Sequence, residues 1–538
     1  MNISRRDFLK GGAALAATAA VAGLGVPAFA DEEPKAAGYS WETPPAAIPE
    51  DQIKETIESD IVIVGAGISG TCAALRASEL GASVSIIEKA AFPSGRGGHY
   101  GCYQSKAMTA AGLINDDKAQ IAADWMRFCG NRNNEKLVHL FLDNSSKVFD
   151  WLDDMSGDEL SFVPIETHYA GPQYYEHIGT HSIRGSFPDN PGTTAVVYWM
   201  WKKAEELGAK FTFNAVAEQL IKEDGRVTAV IVKEEDGYKK YIGNKGIILA
   251  TGDISGNPEM MEAFCDPIGL KPKVNAYTPA GNNTGDGQRM GMWVGGHMQD
   301  SKIPTMIHLI RYCSLCFSTL YVNNLGKRFM NEDTWIQAKS IKILSQSEAA
   351  GNEYAWSIFD SNWKDQIRAT IPIGGGQFWD NMSRLAGNEW DADNAENIIN
   401  ASINSGDSIC ADTIEELAAH IGCDAETLKA TIDRYNELGD AGEDTDFYKR
   451  PALLNPIKEG PFYAVKFGPS LLSAPGGLEV NEKLQVVDDA KEAIPGLYAV
   501  GNVSGGRYAV DYPVFINGNS HGSALTWGYL AADNIVNG

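Results

Sequence analysis

A glycine-rich turn between two apolar strands constrains the fold of this chain more than any other feature. Residues Asp60–Val64 form a buried-strand pattern, and Gly65-Ala66-Gly67-Ile68-Ser69-Gly70 follows it directly. A helical stretch from Thr71 to Leu80 and a second apolar run from Ser83 to Ile87 come next, and the second run ends at Glu88. A strand, G-x-G-x-x-G, a helix, a strand and an acid about 20 residues on form the pattern of a dinucleotide-binding parallel sheet.

The three glycines have separate roles in such a turn. Gly65 permits the tight turn, Gly67 lets backbone N–H groups reach a pyrophosphate, and Gly70 lets the helix pack on the strand. The N-terminus of the helix adds partial positive charge. Glu88 is placed to accept hydrogen bonds from ribose hydroxyls.

Three further segments favour FAD over NAD. The Gly-rich loop Lys89–Gly101 follows the acid directly and can bring backbone toward the pyrophosphate and the isoalloxazine ring. Gly246–Gly252 is a strand that ends in Ala-Thr-Gly, and Pro495–Asn502 has the form of a strand that reaches the ribityl chain. Segments this far apart in sequence that return to one site indicate a tightly held FAD.

The amino terminus has the three parts of an export signal. Arg5, Arg6 and Lys10 are basic, Gly11–Gly25 is a run of small apolar residues, and Ala28-Phe29-Ala30 is a cleavage site. Residues 1–30 resemble a twin-arginine signal, which predicts export to the cell envelope, in the periplasm or at the outer face of the cytoplasmic membrane. Residues 31–56 predict an extended linker.

Composition excludes some classes of partner. The chain has 45 Lys+Arg against 70 Asp+Glu, a net charge of −25, which excludes nucleic acid because phosphates need a basic face. The 8 cysteines show no disulfide framework. Cys313 and Cys316 form one C-x-x-C, and this motif is compatible with free thiols, a disulfide or ligands of an iron–sulfur cluster. No His/Asp/Glu cluster has metal-ligand spacing, so we predict no metal site.

Several further motifs identify a family. They are Asn257–Met260, Thr284–Gly287, Gly326–Glu332, Pro461–Ala464, Gly476–Leu478 and Gly501–Leu530. With them the chain, from about Ser59 to Gly538, resembles the FAD-dependent flavoproteins that include fumarate reductases, succinate dehydrogenases, urocanate reductases and 3-ketosteroid dehydrogenases.

The resemblance implies an α/β fold in which an α+β capping domain is inserted into a two-segment, Rossmann-like FAD-binding domain. The expected FAD-binding segments are 57–300 and 455–538, and the expected capping domain is 301–454. The expected FAD-binding residues are Gly65, Ala66, Gly67, Ser69, Gly70, Glu88, Lys89, Gly97, Gly98, Ala250, Thr251, Gly252, Asp286, Gly501, Asn502, Ser523, Ala524 and Leu525.

The chain departs from the fumarate reductases at the substrate-binding cations. Where those proteins carry substrate-binding histidines and arginines, this sequence has Ile303, Ile336, Leu472-Ser473 and Tyr512. A buried dianion without fixed cations costs several kcal/mol per charge. The sequence therefore argues against fumarate as the substrate.

The last segment is more similar to 3-ketosteroid dehydrogenases. Those enzymes also have G-N-V-S at the place of Gly501, and their tyrosine at the place of Tyr512 hydrogen-bonds a ketone, with help from a backbone N–H for which Gly518 is the counterpart. The resemblance implies catalytic roles for Tyr512, Gly518, Tyr103 and Tyr100, and pocket walls at Trp335, Ile336 and Phe515. Arg311 and Arg507 are candidate proton donors with surface ion pairs as the alternative, and His308 and His521 are interpreted as structural.

The combined expectation is an exported FAD-dependent reductase of a C=C bond conjugated to a carbonyl, with hydride delivered from flavin N5. The expected substrate is a neutral or apolar enone or unsaturated lactone, such as a steroid, a steroid-like glycoside or an aromatic enone. The chain has no C-x-x-C-H, so electrons are expected from a separate partner, a membrane-anchored cytochrome. Two alternatives are a 3-ketosteroid-type dehydrogenase running in the oxidative direction and a flavin-binding electron carrier without turnover.

Overall fold

The structure is a computed structural model that describes residues 38–95, 97–115, 117–165, 170–171, 174–175, 177–276, 281–314, 317–375 and 390–538. The export signal over 1–30 and Cys316 lie outside the described residues. The strands and helices given below belong to one compact unit, Trp41–Gly538. No helix in the described part of the chain is long and apolar enough to cross a membrane.

The strands in chain order are β1 Ile53–Val64, β2 Val84–Ile87, β3 Tyr100–Gly101, β4 Ser161–Pro164, β5 Ala170–Gly171, β6 Tyr174–Tyr175, β7 Thr180–Arg184, β8 Lys210–Thr212, β9 Val216–Glu223, β10 Arg226–Glu234, β11 Gly237–Leu249, β12 Met306–Tyr312, β13 Leu320–Val322, β14 Ala355–Phe359, β15 Ile409–Ala411, β16 Phe462–Ser473, β17 Gln485–Val487 and β18 Ala493–Ala499.

The α-helices in the described ranges are α1 Ile68–Glu79, α2 Lys106–Ala110, α3 Lys118–Phe128, α4 Glu135–Ser156, α5 Ala195–Glu206, α6 Pro258–Phe264, α7 Asp286–Trp293, α8 Ile336–Leu344, α9 Trp363–Thr370, α10 Ala392–Asn404, α11 Ile414–Ile421, α12 Ala425–Ala441 and α13 Asn519–Asn537.

The larger sheet has the order β17-β18-β11-β1-β2-β8, and the β9–β10 hairpin pairs with β11. β1 pairs in parallel with β2 and β11, and β11 also pairs in parallel with β18. The last four residues of β1 are buried, as their continuous apolar run predicts for a central parallel strand. The carboxyl ends of these four strands meet at one edge of the sheet, where α/β proteins bind ligands.

The smaller sheet is antiparallel and has the order β12-β16-β14-β13, with β15 also paired to β16. Apolar residues of α11 and α12 pack with this sheet in a separate core. The two sheets and their helices form an α/β fold in which an α+β unit is inserted into a two-segment sheet. This is the fold that the sequence predicts.

Two bounds differ from the expectation. β1 begins at Ile53, inside the stretch predicted as a linker, because its first half pairs with the long strand β11. β16, which we assigned to the second FAD-binding segment at 455–538, belongs to the smaller sheet. Its two faces are almost entirely buried, so its apolar run fits either sheet and does not reveal its partner strands. The other domain bounds stay predictions.

Candidate active site at the sheet edge

The turn after β1 is a backbone cradle. Gly65 has φ +102°, and a Cβ there would lie 2.5 Å from the carbonyl oxygen of Ala250. A Cβ on Gly70 would overlap the carbonyl oxygen of Gly65. Gly67 caps α1 in an extended conformation, so the first N–H groups of the helix face the sheet edge. These contacts fit a loop that receives a pyrophosphate.

Glu88 is fixed by the same loop. One carboxylate oxygen accepts the N–H of Ala66 at 2.7 Å and the other accepts the N–H of Ala90 at 2.8 Å. The side chain is buried, and the residue lines the cavity at this edge. A buried carboxylate held in this way is oriented to accept hydrogen bonds from ribose hydroxyls.

Lys89 lies beside this acid and pairs with Asp286. Its Nζ lies 2.8 Å from Asp286 Oδ2 and 3.1 Å from Thr284 Oγ1. Burial acts to raise the pKa of Asp286, but the charge and hydrogen bond of Lys89 hold this pKa below its usual value. The pair joins the loop after β2 to the start of α7.

A cavity of about 420 Å³ extends along the sheet edge. Fourteen of the expected FAD-binding residues line it: Gly65, Gly67, Ser69, Glu88, Lys89, Gly97, Gly98, Ala250, Thr251, Gly252, Asp286, Gly501, Asn502 and Ala524. The other four, Ala66, Gly70, Ser523 and Leu525, are buried behind the lining. The cradle and the oriented acid fit FAD.

The expected substrate residues Tyr512, Gly518, Trp335 and Ile336 also line the cavity. Gly518 precedes α13 with φ +74°, and the first turn of this long helix lies at the cavity. Among the described residues, the N–H of Gly518 has no acceptor. This N–H and the Tyr512 hydroxyl are therefore two neutral donors in the lining of the cavity.

Tyr512 is oriented from the helix. Its hydroxyl oxygen accepts the N–H of Ser520 at 3.0 Å. Burial raises the pKa of the phenol well above 10, so the hydroxyl stays protonated at neutral pH. The proton has no acceptor among the residues that the structure describes. Tyr512 is therefore a neutral donor with its proton available to a ligand.

Three expected site residues do not line the cavity. The Tyr103 hydroxyl donates to the carbonyl of Asn115 at 2.9 Å, and Tyr100 is fully buried with its hydroxyl 3.4 Å from Thr194 Oγ1. Phe515 lies behind the lining, between the rings of Trp125 and Phe128. The expectation that Tyr100, Tyr103 and Phe515 contact the substrate is corrected accordingly.

The strand β12 supplies side chains that the sequence interpretation missed. Met306, His308 and Ile310 line the cavity. They alternate along the strand and so share one face. This alternation in the sequence is the signal that could have identified them as one group. Because His308 lines the cavity, it belongs to the site and not only to the core. Thr334, Leu472 and Ser473 also line the cavity.

The cations that a dicarboxylate needs are not at these positions. Ile336, Leu472, Ser473 and Tyr512, which stand at positions where the sequence resemblance led us to look for charged groups, line the cavity, and no arginine lines it among the described residues. Arg311 instead pairs with Glu353 at 3.3 Å. Arg507 is buried outside the lining.

Asp511 connects the site to α8. Its Oδ1 accepts the N–H of Tyr512 at 2.8 Å and Nε2–H of Gln337 at 3.0 Å. Burial raises the pKa of the carboxyl to about 6, although part of the residue remains open to solvent. The acid therefore carries its charge near neutral pH at a cost to stability.

Asp511→Asn is expected to be more stable than the wild type at pH 7, by about 1 to 3 kcal/mol, because each unit of the raised pKa corresponds to about 1.4 kcal/mol. The folded pKa is raised above the unfolded value of 3.8, so the wild type loses stability as the pH rises from about 4 to 6, and the asparagine does not. The amide oxygen keeps both hydrogen bonds. Urea unfolding at pH 4 and pH 7 checks this, and an equal difference between the two proteins at both pH values would contradict it.

One cluster of charged groups lies outside the cavity. His297, Asp300 and Glu479 bring potential ligand atoms within 4.8 Å of one another. Lys491 Nζ lies 3.0 Å from Asp300 Oδ2 and 2.6 Å from Glu479 Oε2, so an ammonium group uses these carboxylates. The arrangement is an ion-pair network near the surface.

Comparison with known proteins places this site in a family. The family model described as FAD binding domain matches residues 60–514, and the model for the twin-arginine translocation signal matches residues 2–22. The chain therefore belongs to the FAD binding domain family and binds FAD, and its amino terminus is a twin-arginine signal.

Three relatives span most of the chain. A fumarate reductase (cytochrome) from Shewanella frigidimarina is 28% identical over 494 residues, which cover 89% of this chain and 77% of that protein. A vinyl phenol reductase from Lactiplantibacillus plantarum is 25% identical and covers 87% of this chain and 94% of its own length. A digoxin reductase from Eggerthella lenta is 25% identical, with 99% and 97% covered.

Among solved structures, 3-ketosteroid-delta4-(5alpha)-dehydrogenase from Rhodococcus jostii superposes with a TM-score of 0.67. It is 20% identical, and the match covers 90% of this chain and 99% of that one. The likeness shows the fold. It confirms the predicted α/β architecture with an FAD-binding domain.

Proposed function

We propose that this chain is an exported FAD-dependent reductase of a C=C bond conjugated to a carbonyl group in a neutral or apolar substrate. The observation that carries the proposal is the Tyr512 hydroxyl, a buried neutral donor in the lining of the cavity. It stands at a position where the sequence resemblance led us to look for a cation. The names of two relatives, vinyl phenol reductase and digoxin reductase, support a reductive activity on uncharged molecules.

The residues around Tyr512 have defined tasks in this proposal. Bound FAD supplies hydride from N5. Tyr512 donates a hydrogen bond to the carbonyl oxygen of the substrate, with the Gly518 N–H as a second donor, and so stabilises the negative charge that develops there. The N–H of Ser520 holds the phenol in position. Trp335, Ile336 and Leu472 exclude water, which strengthens these hydrogen bonds.

The cavity restricts the class of substrate. The lining of the cavity includes the apolar side chains Met306, Ile310, Trp335, Ile336 and Leu472 beside the polar His308, Thr334 and Ser473. A steroid, a steroid-like lactone or glycoside, or an aromatic enone suits such a lining, whereas a dicarboxylate would be desolvated without a counter-ion. The substrate is therefore an uncharged enone or unsaturated lactone.

Electrons come from a separate redox partner in this proposal, a membrane-anchored cytochrome. The sequence has no C-x-x-C-H for haem attachment. The twin-arginine signal supports export of the folded chain, and in this proposal the enzyme works in the periplasm or at the outer face of the cytoplasmic membrane. The name of the Shewanella relative, fumarate reductase (cytochrome), supports an electron donor of this kind.

The test is an anaerobic assay of the FAD-loaded enzyme with reduced methyl viologen. The panel contains a 4-ene-3-ketosteroid, an unsaturated lactone glycoside, an aromatic enone and, as a charged control, fumarate. We expect turnover of at least one neutral substrate and none of fumarate. Fumarate reduction at a comparable rate would contradict the substrate class.

Two further outcomes select the alternatives. Oxidation of a saturated 3-ketosteroid with an artificial electron acceptor, without enone reduction, would indicate a dehydrogenase. The tyrosine that ketosteroid dehydrogenases have at the place of Tyr512 favours this second candidate. Flavin reduction without turnover of any member of the panel would indicate an electron carrier.

A further inference from the structure

Arg507 is a buried cation outside the cavity lining. It follows Gly505-Gly506, and only 1% of its surface is exposed. Nε, Nη1 and Nη2 have no carboxylate or carbonyl acceptor among the residues that the structure describes, and the guanidinium approaches the Tyr508 hydroxyl. Burying a guanidinium in this way is unfavourable, because its hydration is lost and no acid among the described residues forms an ion pair with it.

Arg328 shows how the same fold treats a second buried arginine. Its Nη2 lies 2.9 Å from Glu332 Oε2 and 2.7 Å from Asp444 Oδ2. Both carboxylates are fully buried, so that guanidinium has two counter-ions. Arg507 differs because its observed contacts are aromatic.

Two rings surround the guanidinium of Arg507. Its Cζ lies 4.3 Å from the centre of the Tyr508 ring and 5.2 Å from the centre of the Trp527 ring. Cation–π attraction offsets only part of the cost of burial. The charge is therefore held without full compensation within the described protein.

Ring contacts lead from Arg507 to the cavity. The Tyr508 ring stacks on Trp125 and lies 5.2 Å from the Tyr512 ring, measured between centres. Tyr512 lines the cavity, whereas Tyr508 does not. The cation thus lies behind the proposed carbonyl donor, with the Tyr508 ring between them.

None of the neighbouring titratable groups forms an ion pair with Arg507 in the described part of the chain, although Asp511 carries negative charge near neutral pH. Burial raises the pKa of Tyr508, and it raises that of the Cys129 thiol to about 12, so both are uncharged at neutral pH. The carboxylate Oδ1 of Asp511 is engaged by the Tyr512 N–H and by Gln337. Tyr512 itself is protonated, as its raised pKa requires.

We propose that Arg507 is a positioning residue whose fixed positive charge stabilises negative charge on a ligand oxygen that is hydrogen-bonded to Tyr512. The inference rests on the proposed function, because it takes Tyr512 as the carbonyl donor. A unit charge on the order of 10 Å away at an effective dielectric constant of about 20 changes such an equilibrium roughly tenfold.

The test uses 4-nitrophenol as a probe of charge in the cavity of the oxidised, FAD-loaded enzyme. Its phenolate absorbs at longer wavelength than the phenol, so absorbance reports how far the bound probe is ionised. In Arg507→Met we expect the pKa of the bound probe to rise by about one unit. Arg507→Lys retains a cation, so the bound 4-nitrophenol is expected to be more ionised in this variant than in Arg507→Met.

A second measurement addresses stability and the flavin. Arg507→Met removes an uncompensated charge without breaking an ion pair of the described residues, so its unfolding temperature is expected to equal or exceed that of the wild type. Arg328→Met, the matched control, is expected to unfold at a markedly lower temperature. The midpoint reduction potential of bound FAD is also expected to fall in Arg507→Met.

Two results would overturn the inference. One is the same ionisation of the bound probe and the same flavin potential in the wild type and in Arg507→Met. The other is a loss of stability in Arg507→Met as large as that in Arg328→Met, which would make Arg507 structural. None of these measurements uses an enone, so a wild type without enone turnover contradicts the proposed function separately.

Discussion

Tyr512→Phe is expected to lower kcat for enone reduction by about 10²- to 10³-fold, the usual effect of removing a donor to a developing oxyanion. The ring and its contact with Tyr508 stay in place, so KM and FAD content are expected to change little. The lost group is the hydroxyl that accepts the Ser520 N–H, and its removal leaves the substrate carbonyl with the Gly518 N–H alone. Steady-state assays with the best substrate of the panel measure the effect.

Tyr100→Phe is the matched control for that experiment. It also removes one buried phenolic hydroxyl, but the hydroxyl lies 3.4 Å from Thr194 Oγ1 and outside the cavity lining. We expect kcat within about twofold of the wild type, because a change outside the cavity lining leaves the reacting groups in place. A loss of activity in Tyr100→Phe equal to that in Tyr512→Phe would indicate a general effect on folding. An unchanged kcat in Tyr512→Phe would remove the proposed donor.

The flavin half of the site was predictable because its signals are local. Gly65, Gly67, Gly70 and Glu88 lie on one strand–helix–strand unit, and backbone conformation alone determines what each must do. The distances between these residues along the sequence therefore determine their relative positions in the structure. Gly65, Gly67 and Glu88 line the cavity and Gly70 lies directly behind it, whereas the more distant FAD-binding residues were expected from the family resemblance.

The substrate half was less predictable because distant strands assemble it. Tyr100 stands on β3, which pairs with β7, and its ring packs behind His521, which lines the cavity, so Tyr100 itself does not line it. The sequence shows that a tyrosine follows the Gly-rich loop, but pairing with β7 decides the direction of its side chain. Likewise, the alternation of Met306 and His308 marks one face of β12 without showing what that face meets.

Gly67→Ala and Gly70→Ala are expected to fail in different ways, although both change one glycine of the same turn. A Cβ on Gly70 would overlap the Gly65 carbonyl oxygen and lie 3.3 Å from Ala250 Cβ. The helix would have to move away from the sheet, at a cost of about 3 kcal/mol or more. A Cβ on Gly67 would meet only the Ser94 carbonyl oxygen, at an ordinary 3.5 Å.

The two variants are therefore distinguished by comparing the protein with and without FAD. Gly70→Ala is expected to lower the free energy of unfolding of the FAD-free protein itself. Gly67→Ala is expected to leave that free energy within about 0.5 kcal/mol of the wild type and to weaken FAD binding by about 100-fold or more, because the methyl group occupies the path of the pyrophosphate.

Urea unfolding of the FAD-free proteins and the rise in Tm on addition of FAD measure the two effects. Bound ligand stabilises the folded state in proportion to the logarithm of its concentration over Kd, so the rise in Tm is expected to shrink in Gly67→Ala. A Gly67→Ala protein as unstable without FAD as Gly70→Ala would mean that the glycine serves the fold and not the cofactor. An undiminished rise in Tm would mean that the pyrophosphate does not approach the backbone at Gly67.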